Sequence, residues 1–280
     1  MEESQKESSS EPIKSNFRRL VHRIYLLFSN EYTFFIFVAI LIGFLGELTN
    51  FAFIESYQFI YSKAVMPLWG SPFVIVSTIG GGLILILLSF IFPPSEALGY
   101  SFPKFLERIN LKGGVLKPKE TIAKTVASCV TLGFGGSAGQ EGPIAQIGGA
   151  VGSFVGQILR ISRNKIRVFV ACGVAAGIAA TFNAPITGVL FAEEIALLRD
   201  FKIESFVPIV ISSAIGTITS RALRGDTPIF RVPLYRLVSY KELFFYATLG
   251  LVTGLLASGF IKLFYWTKDT FVRLELPPQE

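Results

Sequence analysis

The run Gly133-Phe134-Gly135-Gly136-Ser137-Ala138-Gly139-Gln140-Glu141-Gly142-Pro143 joins two apolar segments and carries one ionisable residue, Glu141. Pro143 suits the first turn of a helix, where its missing N–H would have no partner in any case. A helix that begins here presents unpaired N–H groups and about half a positive charge, and the glycines let a bare ion approach the backbone closely. The pattern therefore predicts an anion site. Glu141 is itself an anion, so its carboxylate can occupy the place a mobile anion would take, and protonation would weaken that hold. A carboxylate displaced by a proton or by anion pressure is a gate with a physical mechanism. The plainer alternative is an acid that does no more than cap the helix.

The surrounding solvent separates these readings. The chain of 280 residues is 51% hydrophobic and 16% charged, with a mean hydropathy of +0.55, whereas soluble domains carry about 25% charged residues. No charge occurs from Pro72 to Pro94, and roughly 20 apolar residues at about 1.5 Å each cross a hydrocarbon core of about 30 Å. That segment reads as a spanning helix. Tyr32 to Ser62 is a second, long enough to cross with tilt and interrupted by Glu47 and Glu55. With Asn50 nearby, an internal polar contact is the expectation for these two acids. At membrane depth an acid costs about 2.5 to 3.5 kcal/mol on insertion scales, which favours a functional Glu141 over a capping one.

Further along, the apolar pieces shorten and are broken by Gly and Pro: Ser101 to Asn110, Lys119 to Leu132, Glu141 to Leu159, Lys165 to Thr181, Ala184 to Leu197 and Ile203 to Leu223, before a last long run from Lys241 to Trp266. Broken helices at membrane depth are tolerated where backbone is buried in protein or lines a watery cavity, so an ion or solute pathway is the first functional expectation. Gly148, Gly152 and Gly156 on one piece, and Gly173 and Gly177 on the next, recur every fourth residue and predict close helix packing.

Lys14, Arg18, Arg19 and Arg23 precede the first span, which puts the N-terminus in the cytoplasm. Residues 1–28 read as a polar cytoplasmic tail and 29–280 as the transmembrane domain. The basic connections from Lys104 to Lys124 and from Arg160 to Arg167 favour the same side. Juxtamembrane cations facing anionic lipid account for the net charge of +6 without any nucleic acid. Cys129 and Cys172 lie in apolar helical stretches without metal-type spacing and read as small core residues. His22 is the single histidine. Hydrolytic and metalloenzyme chemistries have almost no material to draw on, and neither a cofactor nor a metal is expected.

Gly139-Gln-Glu-Gly-Pro143 resembles the glycine, basic or polar residue, Glu-Gly-Pro signature of the CLC family of chloride channels and chloride/proton exchangers. Two further motifs follow in order. Gly99-Tyr-Ser-Phe-Pro103 sits where that family has Gly-Ser-Gly-Ile-Pro, and Asn183-Ala-Pro-Ile-Thr-Gly-Val-Leu-Phe-Ala-Glu-Glu194 resembles its Ala-Pro helix ending in glutamate. The resemblance implies an all-α membrane protein of tilted and broken helices, built like the first inverted repeat of that fold. It implies Glu141 as gating residue, with anion bound by Gly139, Gln140 and Gly142 and by the turn Gly99, Tyr100, Ser101 and Phe102. Tyr100 replaces the family's usual serine, so the hydroxyl at the central anion site comes from a phenol or from Ser101. Exchangers keep an inner proton-transfer glutamate four residues after Phe191, which here is Ile195; Glu194 matches the acid before it. Glu193 is expected to be solvated at a helix end beside Arg199.

The implied function is chloride transport by channel-like permeation, with a proton-coupled antiporter as the alternative and a nontransporting subunit as a second one. The resemblance runs from about residue 30 to the end and covers the first half of a typical family member. A homodimer, or a partner chain carrying the second half, is expected, with chloride and membrane lipid as the other partners and the plasma membrane as location.

Overall fold

The computed structural model describes residues 31–92, 102–197, 203–226 and 239–273, all helix, turn or coil without a strand. The chain forms two compact units, Met1–Ile229 and Phe230–Glu280. The first holds α1 (Glu31–Ala64), a 3₁₀ turn (Met66–Leu68), α2 (Val74–Ile91), α3 (Phe102–Leu111), α4 (Pro118–Gly133), α5 (Glu141–Ile158), α6 (Arg163–Phe182), α7 (Pro185–Phe191), a π-helical turn (Ala192–Ala196) and α8 (Ile203–Arg224). The second holds α9 (Glu242–Arg273). Among the described residues five helical segments are long and apolar enough to cross a membrane: Tyr32–Leu68, Val74–Ile91, Arg163–Phe182, Ser205–Arg224 and Glu242–Thr267. The polar tail, His22 and the basic residues before α1 lie outside the described residues.

Helix α6 is the centre of the first unit. From Phe169 to Thr181 every residue is buried, and α1, α5, α7 and α8 pack around it. Small residues make this crowding possible, because helices in lipid gain from close contact rather than from expelling water. At the α5–α6 crossing Gly148 meets Gly173, and a Cβ on either would overlap the other's carbonyl oxygen; Gly152 meets the Phe169 carbonyl in the same way. The four-residue glycine spacing therefore does what the sequence predicts. Helix α6 stops at Asn183, which adopts the left-handed conformation (φ 54°) open to asparagine, and Pro185 starts α7 two residues later. Helix α3 is short and two-faced: Phe105 and Ile109, one turn apart, enter the core while Lys104 and Glu107 stay exposed.

Polar groups inside this apolar body are paired across helices. Glu47 and Asn50 of α1 are both buried, and the Asn50 amide donates to Glu47 Oε2 at 3.0 Å and to Thr181 Oγ1 of α6 at 2.8 Å. Arg224, in the last turn of α8, forms an ion pair with Glu47 and lies 5.6 Å from the centre of the Phe51 ring. The internal contact expected for Glu47 is present, and it ties three helices together. Glu55, by contrast, is exposed.

Gly152→Ala is expected to lower stability by about 1–3 kcal/mol through overpacking, whereas Gly80→Ala, where no atom lies within 4 Å of the added Cβ, is neutral or slightly stabilising; unfolding in detergent micelles measures both. Arg224→Met strands a buried carboxylate and is expected to cost about 3–5 kcal/mol. The double variant Glu47→Met/Arg224→Met loses less than Arg224→Met alone, and a double-mutant cycle checks that sign.

Candidate functional site

The glycine-rich link reverses the chain between α4 and α5. Gly135 takes φ 79°, and the Gly136 amide donates to the Thr131 carbonyl at 2.8 Å. Helix α5 begins at Glu141 with Gln140 as its cap residue, and the Ile144 N–H donates to the Gln140 carbonyl at 3.0 Å. Pro143 has no N–H to offer. The Glu141 and Gly142 amides have no backbone acceptor among the described residues, so this helix end keeps its partial positive charge. The Glu141 side chain is exposed, and its carboxylate folds back over Gly139; a Cβ at Gly139 would overlap Oε2. The absence of a side chain at 139 is what leaves that space for a negative oxygen. Gln140 is held from the other side, where the Tyr57 hydroxyl of α1 donates to its Oε1 at 2.6 Å.

Two cavities flank this helix start. One, of about 250 Å³, is lined by Phe102, Lys124, Ser128, Gly139, Gly142 and Gln146 among others. The second, of about 220 Å³, is lined by Tyr57, Gln140, Thr181, Asn183, Arg221 and Arg224 among others. Arg221 is engaged there: its Nε donates to Asn183 Oδ1 at 2.7 Å and sits 3.2 Å from Asp226.

Of the residues that the sequence puts forward, Gly139, Gln140, Glu141 and Gly142 come together at the start of α5, and Phe102 faces the first cavity beside Gly139 and Gly142. Gly99, Tyr100 and Ser101 lie outside the described residues. Ile195 falls in the π-helical turn and is half-buried, with Glu194 exposed beside it. The expectation of a solvated Glu193 is corrected: its side chain is fully buried. A π-helical turn takes up an extra residue and rotates its own side chains relative to those of α7, which carries Glu193 inward. Arg199 lies outside the described residues.

Sequence reasoning passed over Tyr57, Lys124, Ser128 and Gln146. A signal for two of them was present. Lys124 is the one charge between Thr121 and Gly139, and Gln146 stands four residues after Gly142, one turn along the same face of α5. Tyr57 sits 83 positions from Gln140 and had no local signature.

Comparison with known proteins bears on the chain as a whole. Residues 80–279 match the family described as voltage gated chloride channel. A ClcB-like protein of Ralstonia nicotianae is 28% identical over 256 residues, 86% of this chain and 58% of that protein. The H(+)/Cl(-) exchange transporter ClcA of Vibrio parahaemolyticus is 31% identical over 220 residues, 75% of this chain and 45% of that protein. The fold is that of a slow cyanobacterial Cl-/H+ antiporter, with a TM-score of 0.72 at 24% identity over 87% of this chain and 59% of the other. The chain thus spans about half the length of the relatives it matches.

Proposed function

The chain belongs to the voltage-gated chloride channel family, and from that membership we propose that it conducts chloride across a membrane by channel-like permeation gated by Glu141. The observation that carries the reading is the Glu141 carboxylate lying over Gly139 at the amide-rich start of α5. In this account the carboxylate neutralises the helix end when no halide is there. A halide competes for the same amides, and a proton removes the charge that holds the side chain in place. Gly139, Gln140 and Gly142 bind the anion through their backbone, and the family resemblance adds Gly99, Tyr100, Ser101 and Phe102 as further anion-binding residues. Ile195 cannot hold a proton, which favours conduction without coupled proton movement.

Proton-coupled antiport is the second reading, and Glu193 is the observation in its favour: a buried carboxyl two residues before Ile195, in the π-helical turn. Because the relatives carry about twice as much chain, we propose that a partner completes the pathway, either a second copy or a chain with the remaining half. Without such a partner this chain is a nontransporting subunit. The proposed setting is the plasma membrane with a cytoplasmic N-terminus.

Reconstituted in liposomes, the full chain is expected to show chloride efflux that carries current and moves no protons. Glu141→Ala makes that efflux constitutive and insensitive to pH. Protons pumped by a chloride gradient would instead establish antiport, and efflux with an unaltered pH response in Glu141→Ala would remove Glu141 from the gate.

A further inference from the structure

We propose that Tyr57 of α1 is a positioning residue for the α5 start: by donating to the side-chain oxygen of Gln140, it stops that oxygen from capping α5 and leaves the Gly142 N–H to an anion. The inference rests on the reading of this helix end as an anion site and deepens it by naming the residue that keeps the helix end uncapped.

The residue before a helix ordinarily closes it. A side-chain oxygen at the cap position accepts from the N–H of the second or third helical residue. Helix α5 has Gln140 at the cap, Gly142 second and Pro143 third. Proline has no N–H, so of those two positions Gly142 alone has a donor for a Gln140 cap. Gln140 nevertheless makes no side-chain cap hydrogen bond. Its Oε1 turns to α1 and accepts from the Tyr57 hydroxyl at 2.6 Å, and the Gly142 N–H has no acceptor among the described residues. One contact accounts for both facts: the oxygen that would cap the helix is engaged elsewhere.

Tyr57 is well placed to hold that oxygen. Its ring packs on Phe53, four residues earlier in α1, with 5.5 Å between centres. Three residues later Ile60 lies against Gly133, where a Cβ would overlap its side chain, and Val65 lies against Gly135. The C-terminal part of α1 and the residue after it thus touch the glycine link near its beginning, and Tyr57 touches it again at its end. Three glycines among residues 134–140 give the link little stiffness of its own, so its course depends on such outside supports. Held by Tyr57, Gln140 offers its backbone to the anion site and keeps its side chain out of it. Released, its oxygen competes for the Gly142 N–H with a halide and with the Glu141 carboxylate alike.

The test uses the purified full chain in detergent in a Glu141→Ala background, which removes the competing carboxylate. Tyr57→Phe keeps the ring and its packing on Phe53 and removes only the hydroxyl. It is expected to weaken chloride binding, measured by titration calorimetry, by about fivefold, the weight of an ordinary helix cap. In chloride-free buffer it is also expected to slow hydrogen exchange at the Gly142 amide, because that N–H gains the Gln140 oxygen. Gln140→Met removes the oxygen, so adding Tyr57→Phe to Gln140→Met changes neither chloride binding nor Gly142 exchange further. A tyrosine that only stiffened the link would give the opposite sign, faster exchange at Gly142, and an equal loss of binding in both backgrounds. Either of those results, or Gly142 exchange and chloride binding unaltered by Tyr57→Phe, overturns the inference and leaves the anion site standing. If the Glu141→Ala parent binds no chloride, the anion-site reading fails and the inference with it.

Discussion

Unpaired backbone N–H groups inside a membrane are intolerable unless something negative or aqueous meets them, and the proposed role of the α5 start depends on that constraint. Pro143 removes one donor, the Ile144 amide is taken by the Gln140 carbonyl, and the Glu141 and Gly142 amides have no backbone acceptor among the described residues. The carboxylate nearest to them in sequence is laid over Gly139. The rest of the first unit keeps that helix end in place. The α5–α6 crossing is set by glycine carbonyls in contact, so α5 can shift very little along α6 without collision. Tyr57 fixes Gln140 from α1, and α1 is itself fastened to α6 and α8 through Asn50, Thr181, Glu47 and Arg224. A polar network of that kind is valuable in lipid because breaking it leaves a charge with no solvent to receive it.

Much of this is legible in the amino-acid sequence. The glycine link, the start of α5 at Glu141 and the interruption at Asn183 can be read there because glycine, proline and asparagine act through local backbone sterics, which sequence displays directly. Helix bounds fall within a residue or two for most pieces, since an uncharged run and its flanking Gly, Pro or Lys mark both ends. Glu193 is misjudged for an equally physical reason. An α-helical periodicity of 3.6 residues assigns it one direction, and a π-helical turn between Ala192 and Ala196 gives it another. Nothing in the residue types announces such a turn.

The pairings of distant residues are less legible. Glu47 and Asn50 advertise an internal contact, but their partners Thr181 and Arg224 lie more than a hundred positions away. Lys124 and Gln146 share a wall because α4 and α5 pack beside the glycine link, which turns two unrelated polar residues into one environment. In sequence each is an ordinary polar residue in an apolar run.

The central claim is that the α5 helix end and the Glu141 carboxylate compete for one space. Crystals of the Glu141→Gln chain grown in bromide test it most directly through anomalous scattering. The account predicts a bromide peak over Gly139, against the amides of residues 141 and 142. Bromide bound elsewhere, with those two amides turned onto protein acceptors, would contradict it.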